Sequence, residues 1–63
     1  MSNVFFQKEK FPKFSSYYRI FVLGRYVGYA YLDKGKWYLK YENSIETFKT
    51  LRELKNAVKT YIF

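Results

Sequence analysis

Runs of aromatic and β-branched residues, separated by polar breaks that carry glycine or asparagine, fill the middle of the chain, and apolar residues then recur every three to four positions near its end. Tyr17–Leu23 (YYRIFVL) is a run of aromatic and β-branched residues, the composition of a half-buried strand. Gly24-Arg25 follows. A glycine first in a two-residue loop suits a type II′ hairpin turn, whose first position needs φ > 0. Tyr26–Leu32 (YVGYAYL) reads as the returning strand, Asp33–Lys36 as a second turn with Gly35 available for a left-handed position, and Trp37–Glu42 (WYLKYE) as a third strand. Asn43-Ser44 breaks the pattern again, and Ile45–Phe48 allows one short extended piece.

From Thr50 the period changes. Thr50-Leu51-Arg52-Glu53 has the spacing of a capping box, and Leu51, Leu54, Val58 and Tyr61 recur at helical intervals, with Ala57 and Ile62 beside them. The predicted architecture is α+β: a three-stranded antiparallel β-meander packed on one C-terminal α-helix, with room for an extra N-terminal strand. Residues 1–16 stand apart as a basic, aromatic arm ahead of a β-β-β-α domain over 17–63. They hold the only proline, four phenylalanines and a cluster of lysines. So many rings argue for an arm docked on the body rather than a free tail.

Turn lengths sort the faces, because residues opposed across a hairpin share a side. A loop at 24–25 sets Leu23 against Tyr26 and Phe21 against Gly28. A loop at 33–36 sets Leu32 against Trp37 and Ala30 against Leu39. One face then carries Phe21, Leu23, Gly28, Ala30, Leu32, Trp37 and Leu39, with small residues at its centre where the helix lies. The other carries Tyr18, Ile20, Val22, Val27, Tyr29, Tyr31, Tyr38, Lys40 and Glu42. A slip of one residue in any strand would exchange its faces.

Composition narrows what such a surface can do. The 63 residues form one domain, and they include no cysteine and no histidine, which excludes disulfides and zinc sites of the Cys/His kind. The same absence, with only five scattered acids and no glycine-rich phosphate loop, leaves no catalytic constellation, so the chain is read as a non-enzyme with no cofactor and no metal. Twelve Lys and Arg against five Asp and Glu give a net charge of +7, and on a body this small such a field attracts polyanions. No apolar stretch has signal-peptide or membrane-span length, so the expected compartment is the cytoplasm, with no membrane partner.

The positive features are the tyrosine face and two basic segments. Tyr18, Tyr29, Tyr31 and Tyr38, interleaved with Arg25, Lys36 and Lys40, have the chemistry of a platform for bases and phosphates. Arg52, Lys55 and Lys59 form a basic stripe on the predicted helix, extended by Lys49. These eleven residues are the candidate binding site. The expected partner is nucleic acid, DNA in preference to RNA, or an acidic protein surface. A homodimer closed through the tyrosine face is the alternative way to cover it.

Lys36-Trp37-Tyr38-Leu39-Lys40-Tyr41, followed by Glu46-Thr47-Phe48-Lys49-Thr50-Leu51-Arg52-Glu53 and Ala57, is similar to the three-stranded-sheet-plus-helix DNA-binding domains of the AP2 and integrase arm-binding type. The resemblance covers about half the chain. It implies a sheet whose exposed face enters the DNA major groove. The sequence departs from that pattern at Glu46, where the family has glycine, and in bearing tyrosines where the family uses arginines. The size, basic charge and aromatic bias also resemble small accessory proteins of phages and mobile elements. That likeness implies a second function, a viral module that binds and inhibits a host factor through the tyrosine face, in the host cytoplasm.

Overall fold

The computed structural model describes residues 3–62, with side chains described through residue 60. Five strands, β1 (Val4–Phe11), β2 (Phe14–Val22), β3 (Arg25–Asp33), β4 (Lys36–Tyr41) and β5 (Ser44–Phe48), form one antiparallel sheet in chain order. A helix, α1 (Leu51–Ala57), continues into a wider π turn over Val58–Ile62. The α+β class agrees with the sequence reading, but the three-stranded meander undercounts the sheet by two strands.

Both added strands escape simple alternation. β1 is the N-terminal arm, paired along β2 from Val4↔Val22 to Phe11↔Phe14 and interrupted by a bulge between Glu9 and Phe11. The bulge breaks the period of two, so the extra N-terminal strand that the sequence allows has no clear bounds in it. β5 is only five residues long, and its inward positions are Glu46 and Phe48, paired with Leu39 and Trp37. The Tyr41 hydroxyl donates a hydrogen bond to the Glu46 carboxylate there.

All four hairpins turn through two residues: Pro12-Lys13, Leu23-Gly24, Lys34-Gly35 and Glu42-Asn43. At Leu23-Gly24 and Lys34-Gly35 both residues have positive φ, between 53° and 79°. That is the type I′ geometry, whose twist matches the twist of paired strands. The β3–β4 register is the one expected from the sequence, with Ala30 opposite Leu39 and Leu32 opposite Trp37.

The β2–β3 register is not. The turn sits one residue earlier than Gly24-Arg25, so Val22 pairs with Arg25 and Phe21 with Tyr26. A bulge then shifts the register again, and Ile20 meets Gly28. The slip exchanges the faces of β2: Tyr18, Ile20 and Val22 lie on the helix side, and Phe21 lies on the other. Val27, the extra residue of the bulge, also packs against the core rather than on the tyrosine face. Leu23 is not a core residue at all, being 70% exposed in the turn.

The core lies between the sheet and α1. Ile20, Leu39, Leu54 and Val58 are fully buried, and Ala30, Trp37 and Ala57 complete it. Each large apolar side chain buried here contributes about 1.5–3 kcal/mol. Phe6, Tyr18, Tyr41, Phe48 and Leu51 surround this cluster. The helix begins where the capping-box spacing placed it: the Thr50 hydroxyl accepts from the Glu53 amide at 3.1 Å, and the Glu53 carboxylate reaches back to the Lys49 amide at 3.2 Å. Leu54 and Val58 of the predicted apolar stripe are core, whereas the Tyr61 side chain lies outside the described residues. Among the described residues no helix is long and apolar enough to cross a membrane.

Candidate functional site

With one helix available, only one face of the sheet is covered. Alternation along the strands puts Tyr17 and Arg19 of β2, Tyr29 and Tyr31 of β3, and Lys36, Tyr38 and Lys40 of β4 on the uncovered face. Two rows of residues cross the strands there. One reads Gln7, Arg19, Tyr29, Lys40, Ile45; the next reads Glu9, Tyr17, Tyr31, Tyr38, Thr47.

The rings on this face form a continuous stack. Tyr31 is its hub, with Phe14 at 4.3 Å on one side and Tyr38 at 5.1 Å on the other, the latter pair within 10° of parallel. Phe11 joins the stack through Phe14 at 5.6 Å and Tyr17 at 5.0 Å. Tyr29 joins through Tyr17 at 5.6 Å and Tyr31 at 6.1 Å. The closest of these rings are nearer than two rings lying side by side in one plane can approach, so they stand on the sheet with faces overlapping and edges toward solvent. Offset stacks of this kind add about 0.5–1.5 kcal/mol per pair beyond area burial. Six rings thus stabilise a face that no second layer covers.

A second aromatic group, Phe5, Phe21 and Tyr26, occupies the opposite end of the same face. Phe5 and Tyr26 are 59% and 54% exposed. Between the two groups run Arg19 and Lys40, on either side of Tyr29. Lys13 borders the groove formed by Phe11, Phe14, Tyr17, Tyr29 and Tyr31.

Two phenols are shifted by their surroundings. Burial among the rings pushes the Tyr31 phenol above its ordinary value, and Tyr29, Tyr38 and Asp33 push it the same way. Burial likewise raises Tyr17, where Tyr26, Tyr29 and Glu9 add to the effect and Arg19 opposes it. Like every neutral tyrosine, both present O–H groups that can donate and accept hydrogen bonds.

Five of the eleven candidate residues, Tyr29, Tyr31, Lys36, Tyr38 and Lys40, come together on the open face. Lys49 lies at its β5 edge, lining a shallow groove with Lys36, Thr47, Phe48 and Glu53. The others do not join them. Tyr18, carried to the helix side by the β2 register, packs on Trp37 at 6.0 Å and Phe6 at 6.4 Å. Arg25 pairs with Val22, one position from the Phe21–Tyr26 pair, and so falls on the side away from the tyrosines.

Arg52 and Lys59 are exposed on the helix, in the other layer of the molecule. The stripe they were expected to form is interrupted by Lys55. Its ammonium sits over the rings of Phe6, at 5.3 Å, and Tyr18, at 5.9 Å, which makes Lys55 a cation–π cover for the core rim. Tyr17, Arg19, Phe11 and Phe14 were missed by sequence reasoning. The alternation Tyr17-x-Arg19 was visible, but its face depends on a turn position the sequence did not disclose.

Among the described residues no group of acidic side chains is placed to hold a metal ion. Comparison with protein-family models, curated proteins and solved structures finds no match for the chain.

Proposed function

We propose that the protein is a non-enzymatic nucleic-acid-binding module whose contact surface is the open face of the sheet. The observation that carries this reading is the uncovered ring stack with Arg19, Lys36 and Lys40 set among its tyrosines. Where a ring face is open it supplies a sequence-tolerant contact to a base, and cations between the rings meet the phosphates that link those bases. The net charge of +7 adds long-range attraction for the polymer. The binding set is accordingly smaller than the eleven residues first nominated: Tyr29, Tyr31, Lys36, Tyr38, Lys40 and Lys49, joined by Arg19 and Tyr17.

Titration of labelled single-stranded and duplex oligonucleotides across a salt series tests this. Four phosphate contacts, at Arg19, Lys36, Lys40 and Lys49, predict that log K falls with log salt with a slope of roughly −3 to −4. If neither polymer binds at low ionic strength, the proposal fails.

One observation favours a second reading. Both faces of Tyr31 are already occupied, by Phe14 and Tyr38. An array of ring edges and hydroxyls is also what tyrosine offers in protein interfaces. A protein-interaction module, such as a phage inhibitor of a host factor, would use the same face. It would depend on Phe5 and Tyr26 as much as on the cations.

A further inference from the structure

The ring stack has two ends, and they differ. In the row that crosses all five strands, the β1 end is Glu9, a carboxylate that accepts from the Gln7 side chain at 2.8 Å. That charge repels phosphate. The β5 end is Thr47, opposite Tyr38. Tyr38 stacks on Tyr31 through one face, and among the described residues no second ring meets the other. On its β5 side Tyr38, itself half-buried, is thus bordered in register by Thr47, a small side chain with a hydroxyl, rather than by another ring.

Lys36 and Lys40 stand two positions before and after Tyr38 on the same strand and the same face. Their Cα atoms lie about 6.8 Å along the strand from that of Tyr38. The groove beyond them is bounded by Lys36, Thr47, Phe48, Lys49 and Glu53. This groove also holds an acid, Glu53, whose carboxylate accepts from the Lys49 amide, but the two lysines that line it outnumber that charge.

We infer that the β4–β5 end of the face is a nucleotide subsite for single-stranded nucleic acid, with one base stacked on the outward face of Tyr38 and its flanking phosphates held by Lys36 and Lys40. The inference rests on the nucleic-acid reading of this face and narrows it in two ways. The first is position. Only at Tyr38 does an open ring face coincide with a cation on each side along the strand.

The second is strandedness. Five strands make a face ~19 Å wide at ~4.8 Å per strand. The major groove is ~12 Å wide and admits a helix or a two-stranded ribbon. β1 and β5 thus broaden the sheet beyond what groove insertion of the AP2 type allows. A base inside a duplex also has no free face to offer Tyr38, whereas an unpaired base does. Single-stranded DNA and RNA share the required chemistry, an unstacked base on a phosphodiester chain.

The test is fluorescence anisotropy at low salt with oligo-dT, oligo-U and a duplex of equal length. The wild type is compared with Tyr38→Leu, Tyr38→Phe, Phe5→Ala and the pair Lys36→Gln/Lys40→Gln, each checked for an unchanged melting curve. One or both single strands should bind more tightly than the duplex. Tyr38→Leu should weaken that binding roughly ten- to hundred-fold, while Tyr38→Phe keeps it and Phe5→Ala leaves it unchanged. If Tyr38→Leu fails to fold, the lysine pair decides. Losing two phosphate contacts should flatten the salt slope by about 1.4, and an unchanged slope overturns the subsite.

Duplex binding as tight as single-strand binding, or a loss at Phe5→Ala equal to that at Tyr38→Leu, overturns the inference while leaving the broader reading standing. Absence of binding to every oligonucleotide overturns both.

Discussion

Gly28→Ala tests the packing of the sheet directly. Gly28 is buried in the middle of β3, between Ile20 of β2 and Tyr41 of β4. A Cβ added there would lie 2.4 Å from the Lys40 carbonyl oxygen, 3.1 Å from the Tyr41 Cβ and 3.3 Å from the Tyr41 Cα. Backbone atoms of a paired strand cannot swing aside as a flexible side chain would, so β3 and β4 must separate locally.

Overpacking a core typically costs about 1–3 kcal/mol, and a clash with rigid backbone places this substitution at the upper end. A chain of 63 residues has a total stability of roughly 3–9 kcal/mol. About 3 kcal/mol should lower the melting temperature by roughly 12–24 °C. Thermal unfolding followed by the fluorescence of Trp37, the only tryptophan, reads this out. Gly35→Ala is the matched control. Gly35 has φ +79° and open space around it, so the change should cost only the conformational strain of about 1–2 kcal/mol. A Gly28→Ala protein melting within about 4 °C of wild type, less than 1 kcal/mol of destabilisation, would refute the close-approach argument.

Two further outcomes are expected. Thr50→Ala removes the hydroxyl that accepts from the Glu53 amide and should cost about 1 kcal/mol, measured by urea unfolding; Thr50→Ser should recover most of it. Alkaline titration should find Tyr17 and Tyr31 ionising above their ordinary value of 10.0. Because folding raises these pKa values, their contribution to stability is fully present below pH 10 and is lost as pH rises through the raised folded values. Tyrosinate absorbance during the titration checks the first point, and melting temperature in Tyr31→Phe against wild type checks the second. Equal alkaline loss in both proteins would sink the assignment to Tyr31.

Much of the topology was legible because β3 and β4 obey simple rules. Lys34-Gly35 is a strong hairpin turn, and the pairs Leu32–Trp37 and Ala30–Leu39 follow from it. The helix start at Thr50 was legible for a similar reason, since capping is a local signal. β2 was misread because Leu23 adopts φ 54°, a conformation rarely taken by a branched apolar residue, so the turn was placed one residue late. One residue is enough to move Tyr18 and Ile20 to the core and Phe21 to the open side. β1 was obscured by its bulge and by Pro12, and β5 by Glu46, an acid on the inward face that accepts a hydrogen bond from Tyr41. The site followed the same division. Tyr29, Tyr31 and Tyr38 were found from the well-read hairpin, while Tyr17 and Arg19 were lost with the register of β2.

The sequential strand order has a kinetic consequence. Each strand pairs with its neighbour in the chain, and each pairing closes around a two-residue turn. Loop-closure entropy grows with loop length, so no step in building this sheet requires distant segments to find each other. Folding rates across small domains fall as the mean sequence separation of contacts rises. The sheet therefore needs none of the long crossover closures of a β-sandwich, although its long hairpins still pair residues as far apart as Val4 and Val22.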